Sequence, residues 1–199
     1  MNPKEIRDIV VSAVVLAAAF GIALSGGLFG GVDSNILINN ILMVLLAVSL
    51  SFILHELGHR TLARRYGCFA EYRMWPFGLM LALLMSVTGF VFAAPGAVYI
   101  HPKIDMWGNV QQLSRKKIGL ISISGALINL ALAGVFAAAY FFYPMEVFLM
   151  GITINVWLAL FNSIPLGPLD GAKVFYWDKR IWAILFVVTI ALFALLFFV

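Results

Sequence analysis

The sequence carries little charge: Asp, Glu, Lys and Arg make up only 11% of its 199 residues. A soluble domain contains about 25% of these residues. Their place is taken by hydrophobic residues, which reach 63% and give a mean hydropathy of +1.03. This composition excludes an ordinary water-soluble domain and a disordered chain, and it predicts an integral membrane protein with the lipid bilayer as its partner.

Cysteine is almost absent as well. Cys68 stands alone and cannot form a disulfide within the chain, so the sequence neither requires nor excludes an oxidising compartment. The 13 Lys and Arg residues fall in short clusters between apolar runs, as they do in the cytoplasmic loops of membrane proteins. The net charge of +4 therefore does not indicate nucleic-acid binding, and we expect no nucleic acid as a partner.

Five apolar runs are long enough to cross a bilayer as helices, which takes about 20 residues. They lie at about residues 9–29, 36–62, 118–142, 147–165 and 181–199. A sixth apolar stretch, residues 74–100, contains prolines and the pair Pro95-Gly96, which disfavour a continuous helix. Its second half is rich in strand-forming residues, at positions 90–92 and 98–100.

The charge pattern predicts how this sixth stretch meets the membrane. If it crosses once, the Lys and Arg clusters fall on both sides of the bilayer; if it enters and returns, all of them face the cytoplasm. Irregular backbone is tolerated at membrane depth only where protein or water covers it. We therefore predict an all-α polytopic membrane protein with about five transmembrane helices, a re-entrant, partly β hairpin at residues 74–100, and a cytoplasmic N-terminus.

Ionisable residues inside a membrane helix are costly and point to function. The run 36–62 contains the motif H-E-x-x-H, in which His55 and His59 share one helical face and can bind one tetrahedral metal. Glu56 is rotated by about 100° from His55, so it can act on a water molecule at the metal without binding the metal itself. The alternative is a polar helix end whose side chains snorkel to the interface.

A catalytic zinc needs a third protein ligand. The charge pattern places six candidates on the same side of the bilayer as the motif: Cys68, Glu71, His101, Asp105, Asp170 and Asp178. Asp170 is the best of them, because it follows an apolar run through a segment whose prolines must break the helix. From spacing alone, Asp170 serves equally well as a metal ligand or as the turn residue before Gly171.

The two segments together resemble the site-2 protease family of intramembrane zinc metalloproteases. That family pairs H-E-x-x-H with N-x-x-P-x-x-x-x-D-G on a later membrane helix. The matching residues of this chain are Asn162, Pro165, Asp170 and Gly171. Gly125 and Asn129 match the family's intermediate G-x-x-x-N motif, and the likeness covers about residues 50–178.

The resemblance implies three ligands for one Zn²⁺, namely His55, His59 and Asp170. It implies that Glu56 is the catalytic acid and base and that Asn162 orients substrate. Asn129 lies in the middle of a membrane run and must form hydrogen bonds, so a substrate contact and a bond between helices are equally good interpretations.

The activity implied by the resemblance is hydrolysis of peptide bonds in membrane-spanning proteins near the cytoplasmic side of the cell membrane. We expect one membrane metalloprotease domain over residues 1–199, with its catalytic core at about 36–178 and no room for a PDZ or CBS domain. The strand-like residues 87–100 could pair with an unwound substrate, so proline at Val91 or Ala93 should reduce cleavage.

Two other functions compete with a protease. A metal-ion transporter also uses His, Glu and Asp, but it needs polar groups through both leaflets, and here they cluster in the inner half. A catalytically silent membrane scaffold is the second alternative. The Glu between the two histidines argues against it, because a purely structural metal site needs no base.

Overall fold

The computed structural model describes residues 1–27, 34–101 and 113–198, with only the backbone described for 34–42. Seven α-helices and two strands follow one another in these ranges. They are α1 Pro3–Leu24, α2 Ser34–Arg65, β1 Phe69–Met74, α3 Pro76–Ser86, β2 Gly96–His101, α4 Arg115–Phe142, α5 Glu146–Ser163, α6 Asp170–Trp177 and α7 Lys179–Leu195. A short 3-10 turn at Leu196–Phe198 ends the described chain.

Five of the described helices are long and apolar enough to cross a membrane, as predicted. The candidate spans are Pro3–Leu24, Met43–Arg65, Arg115–Phe142, Glu146–Ser163 and Lys179–Phe198. The first begins several residues earlier than the apolar run, because the Asn2 side chain accepts a hydrogen bond from the Lys4 N–H and Pro3 occupies the first turn. The chain is a multi-pass membrane protein.

The two ends of the predicted re-entrant segment pair with each other, which confirms the predicted, partly β hairpin. Strands β1 and β2 are antiparallel, with Met74 opposite Gly96 and Phe69 opposite His101. The chain therefore leaves the sheet after Met74 and returns to it at Gly96. Between these points it forms helix α3 and an irregular segment, residues 87–95.

Of the two stretches rich in strand-forming residues, only 98–100 forms a strand, since regular β structure begins at Gly96 and residues 90–92 are irregular. Side chains of α5 hold this stretch in an irregular conformation. The indole N–H of Trp157 donates to the Val91 carbonyl at 3.0 Å, and the rings of Phe90 and Phe92 pack edge-on against Trp157 and Phe161. Protein atoms thus cover the irregular backbone, as the membrane environment requires.

Helix α4 packs against α2, α5 and α6, and α1 packs against α2 and α3. Glycines allow several of these close approaches. The ring of Trp177 on α6 occupies the space where Gly119 of α4 would carry a Cβ. A Cβ on Gly171 would collide with the backbone of Ser163, so this glycine lets the start of α6 lie against the end of α5.

The two outer edges of the small sheet have different surroundings. The Tyr72 N–H on β1 donates to Glu5 Oε1 of α1 at 3.2 Å, so it points away from β2. Tyr72 and Val98 therefore form a non-hydrogen-bonded pair, and the backbone N–H and C=O of Val98 also point away from the ladder. By alternation, the outer edge of β2 presents the backbone groups of Gly96, Val98 and Ile100, and no strand in the described ranges pairs with this free edge.

Candidate active site

Helix α2 carries all three polar residues of the H-E-x-x-H motif into the interior of the bundle. His55, Glu56 and His59 are each less than 10% exposed. The one-turn spacing places the Nε2 atoms of His55 and His59 only 3.0 Å apart. Two imidazoles therefore face one point inside the protein.

Asp170 joins the two histidines from the first residue of α6. Its Oδ2 lies 2.8 Å from His59 Nε2 and 3.5 Å from His55 Nε2. The other carboxylate oxygen, Oδ1, accepts a hydrogen bond from Lys173 Nζ at 3.0 Å, which leaves Oδ2 facing the imidazoles. Among the described residues, these three side chains are the group that could hold a metal ion.

Hydrogen bonds on the far side of each imidazole ring show that the three candidate ligands suit a cation. His55 Nδ1–H donates to Asn129 Oδ1 at 2.6 Å, and His59 Nδ1–H donates to the Ile121 carbonyl at 2.7 Å. Each hydrogen thus sits on Nδ1, and the Nε2 lone pairs converge with a carboxylate oxygen. Such lone pairs repel one another unless a cation lies between them, and two His with one carboxylate suit catalytic zinc.

The charge state of Asp170 agrees with a ligand role. Burial of the carboxyl raises its pKa, but the neighbouring His59 and the Lys173 ammonium lower it more strongly. The net effect holds the pKa of Asp170 well below its ordinary value. An ionised carboxylate is the form that binds a metal.

Gly125 of the G-x-x-x-N motif provides the room for both rings. A Cβ at this position would lie 2.5 Å from His55 Cε1 and 2.6 Å from His59 Cε1. One turn further along α4, Asn129 binds the Nδ1 of His55. The motif therefore gives both imidazoles room at Gly125 and holds one of them, His55, with a hydrogen bond to Asn129. The sequence alone did not reveal this connection.

Glu56 lies beside the three candidate metal ligands and has an oxygen without a described protein partner. Its buried Oε2 has no hydrogen-bond partner among the described residues. The residue lines a cavity of about 300 Å³ that is also lined by His55, His59, Asp170 and strand β2. A buried carboxylate oxygen without a protein partner is available to a water molecule or a substrate proton.

The two asparagines predicted to contact substrate occupy different places. Asn162 lines the cavity, and its amide donates to the Leu158 carbonyl of its own helix at 3.0 Å. Asn129 is fully buried and bonds His55, Asn155 and the Ser51 carbonyl. The structure thus displays the interhelix bonds of Asn129, and substrate contact by either residue stays a prediction.

The other ligand candidates on described residues have different surroundings. Cys68 packs in a separate apolar cluster with Ala63, Ala70 and Ile121. Glu71 pairs with Arg73 at 2.6 Å, and Asp178 accepts hydrogen bonds from the first N–H groups of α7. His101 lies beside Phe69 at the end of the sheet. Asp105 lies outside the described residues.

The fold and the donor set define a class: a multi-pass membrane protein with a buried H-E-x-x-H helix and an aspartate completing a candidate zinc site. The chain is 39% identical over 189 residues to "Putative zinc metalloprotease MJ0611" of Methanocaldococcus jannaschii, covering 92% of this chain and 89% of that protein. It is 31% identical over 162 residues to "Putative zinc metalloprotease YwhC" of Bacillus subtilis, covering 67% and 68%. No family model matches the chain, and no solved structure matches it with significance.

The chain therefore belongs to the zinc metalloprotease family of these two relatives, the compact site-2 protease-like family that its motifs resemble. The identity extends over nearly the full length of the archaeal relative.

Proposed function

We propose that the protein is an intramembrane zinc endopeptidase that hydrolyses peptide bonds of membrane-spanning proteins near the cytoplasmic face of the cell membrane. The observation that carries the proposal is the convergence of His55, His59 and Asp170 beside the unpartnered Glu56 oxygen. The site lies at the end of the bundle where Arg64 and other basic residues cluster. The positive-inside rule assigns that end to the cytoplasm.

In this proposal, each residue of the site has one task. His55, His59 and Asp170 would hold the metal. When bound, zinc supplies a Lewis acid that polarises the scissile carbonyl and lowers the pKa of water to about 7. Glu56 takes a proton from the attacking water and delivers it to the leaving amine nitrogen. Asn162, at the cavity wall, orients the substrate.

The free edge of β2 supports a binding mode for the substrate backbone. A transmembrane helix hides its carbonyls in i to i−4 hydrogen bonds, so a substrate must unwind locally before it can be cleaved. Residues of β2, including Gly96, Val98 and Ile100, line the same cavity as the catalytic candidates. An unwound substrate that adds to this edge would be held extended beside Glu56.

The proposed chemistry is tested by Glu56→Gln and Asp170→Ala. Glu56→Gln removes the base but no ligand, so we expect normal zinc content and a loss of cleavage by about 10²–10⁴-fold. Asp170→Ala should lower the zinc content itself. The measurements are metal analysis of the purified protein and cleavage of a transmembrane test substrate in proteoliposomes. Glu146→Gln, an exposed carboxylate at the other end of the bundle, is the matched control.

The same variants separate the protease from its competitors. If Glu56→Gln retains cleavage, the proposed mechanism is wrong. If the wild-type protein moves zinc across the vesicle membrane and Glu56→Gln abolishes that movement, the chain is a metal-ion transporter. A wild-type protein that neither cleaves nor transports would be a silent scaffold.

Edge pairing is tested best at Val98. Its N–H lies on the outer edge of β2, whereas Val91 and Ala93 lie in the irregular segment before the strand. Val98→Pro removes an N–H that points away from β1, so it leaves the β1–β2 ladder intact. We expect unchanged zinc content and a several-fold higher KM for the test substrate. Val98→Ala keeps the N–H and trims the side chain, so it should behave like wild type. Equal KM values for both variants would contradict the binding mode.

A further inference from the structure

A chain of hydrogen bonds between side-chain amides links α5 to His55 through the middle of the bundle. Asn155 of α5 donates from Nδ2 to the Gly151 carbonyl at 2.8 Å. Its Oδ1 accepts a hydrogen bond from Asn129 Nδ2 of α4 at 3.0 Å. Asn129 Oδ1 in turn accepts from His55 Nδ1–H at 2.6 Å. Both asparagines are fully buried.

Each bond in this chain fixes the orientation of the next group. A backbone carbonyl can only accept, so Gly151 turns the Asn155 amide nitrogen toward itself and the Asn155 oxygen toward Asn129. That oxygen requires the amide nitrogen of Asn129, which turns the Asn129 oxygen toward His55. The imidazole must then carry its hydrogen on Nδ1, with the Nε2 lone pair facing His59 and Asp170.

His59 is fixed in a different way, and the contrast shows what the amide chain does. Its Nδ1–H donates directly to the Ile121 carbonyl of α4 at 2.7 Å. A backbone carbonyl cannot reverse its polarity. An asparagine amide can present either its oxygen or its nitrogen to a ring, so at His55 a second residue must set its direction.

We propose that Asn155 is a positioning residue that acts through Asn129 to hold His55 in the metal-binding orientation. This inference rests on the proposed zinc site at His55, His59 and Asp170. Asn155 does not line the cavity, and its effect on the metal passes through two hydrogen bonds, from Asn129 to Asn155 and from His55 to Asn129. Without Asn155, the Asn129 nitrogen keeps only its 3.4 Å bond to the Ser51 carbonyl.

A double-mutant cycle on zinc affinity tests the proposal. Asn129→Leu removes the acceptor for His55, and partners of this kind change metal affinity by about 10–100-fold. Asn155→Leu alone should lower the zinc affinity by up to about tenfold. Adding Asn155→Leu to Asn129→Leu should cause no further loss of affinity. Affinity is measured on the purified protein by competition with a chromogenic chelator. Unchanged affinity in Asn155→Leu, or losses that add in the double variant, would overturn the proposal.

Further variants distinguish positioning from packing. Asn155→Asp, as the neutral acid, can donate its O–H to the Gly151 carbonyl and accept from Asn129 with its other oxygen. It should therefore retain affinity and the wild-type visible spectrum of the cobalt(II) form. Thr153→Val on the same helix removes a hydroxyl bonded within α5, and it should leave zinc affinity unchanged. If Asn155→Leu does not fold, Asn155→Ala takes its place in the same cycle, with the same expected results.

His55→Ala separates this inference from the proposed function. If His55→Ala keeps zinc, the proposed site itself is wrong. If His55→Ala loses zinc and Asn155→Leu does not, the site stands and the role of Asn155 is wrong.

Discussion

At Gly125 the missing side chain lets two imidazoles lie side by side against α4. A methyl group there would overlap both rings, and neither ring can retreat, because Asn129 and the Ile121 carbonyl hold them from behind. The glycine and the histidines therefore form one packing unit, although 66 or more positions separate them in the chain. Space at this residue is as necessary to the site as the ligands themselves.

Gly125→Ala should therefore damage the zinc site without breaking the helix. We expect zinc affinity to fall by at least about tenfold, because both rings must move from their hydrogen-bonded positions. Gly134→Ala on the same helix is the control, since nothing lies within 4 Å of the added methyl group. That control should bind zinc normally and be as stable as wild type or more so. Normal zinc binding by Gly125→Ala would contradict the packing argument.

Local spacing was enough to predict some residues of the site and not others. His55, Glu56 and His59 follow from one helical turn, and Asp170 required the resemblance to a family, since spacing left it equally a turn residue. The partner of His55 could not be predicted, because Asn129 lies 74 positions away and nothing in the sequence says which faces of two helices meet. Asn155 was expected only to bond across helices.

Among the elements, α1 has a task beyond crossing the membrane. Its buried Glu5 accepts from the Tyr72 N–H of β1 with one oxygen and from Arg60 Nη2 of α2, at 3.1 Å, with the other. Ser12 lies 2.9 Å from the Tyr72 hydroxyl, whose pKa is raised by burial and by the nearby Glu56 charge. Helix α1 thus closes one sheet edge and ties it to the helix that carries the histidines.

Glu5→Ala should destabilise the protein strongly, because it leaves the Arg60 guanidinium buried without its anionic partner. The loss of a buried ion-pair partner costs about 3–5 kcal/mol. Adding Arg60→Met should recover most of this loss. Glu71→Ala is the control, since its partner Arg73 is 27% exposed against 10% for Arg60, so the loss of its partner should cost less. Thermal unfolding in detergent measures all four proteins, and equal stability of Glu5→Ala and Glu71→Ala would contradict the role of the pair.

The re-entrant segment shows why the secondary structure within a segment is harder to predict than its path relative to the membrane. Its overall path followed from charge, because returning to the same side keeps every basic cluster together. Its internal structure did not, since Phe90 and Phe92 favour strands by composition but pack their rings against Trp157 and Phe161 instead. Tertiary contacts decided the backbone there, and only the end that pairs with β1 became a strand.

For the whole molecule, the described Lys and Arg residues lie at one end of the bundle. In the described residues, basic side chains lie at the start of α1, the end of α2, the starts of α4 and α7, and within β1 and α6. The opposite end, which includes the end of α4 and the start of α5, has Tyr143 and Glu146 but no described Lys or Arg. The candidate zinc site lies in the half nearer the basic end, since Asp170 precedes Lys173 and His59 precedes Arg64.

This asymmetry predicts opposite exposure of the two ends of α4, which has 28 residues and a length of about 42 Å, more than the bilayer core. In a Cys68→Ser background, Tyr143→Cys should react with a membrane-impermeant maleimide applied to intact cells. Lys116→Cys should react only after the cells are opened. Both positions are exposed in the structure, so burial would not explain a difference. The reverse pattern would place the zinc site near the outer face, and reaction of both positions from outside would mean that α4 does not cross the membrane.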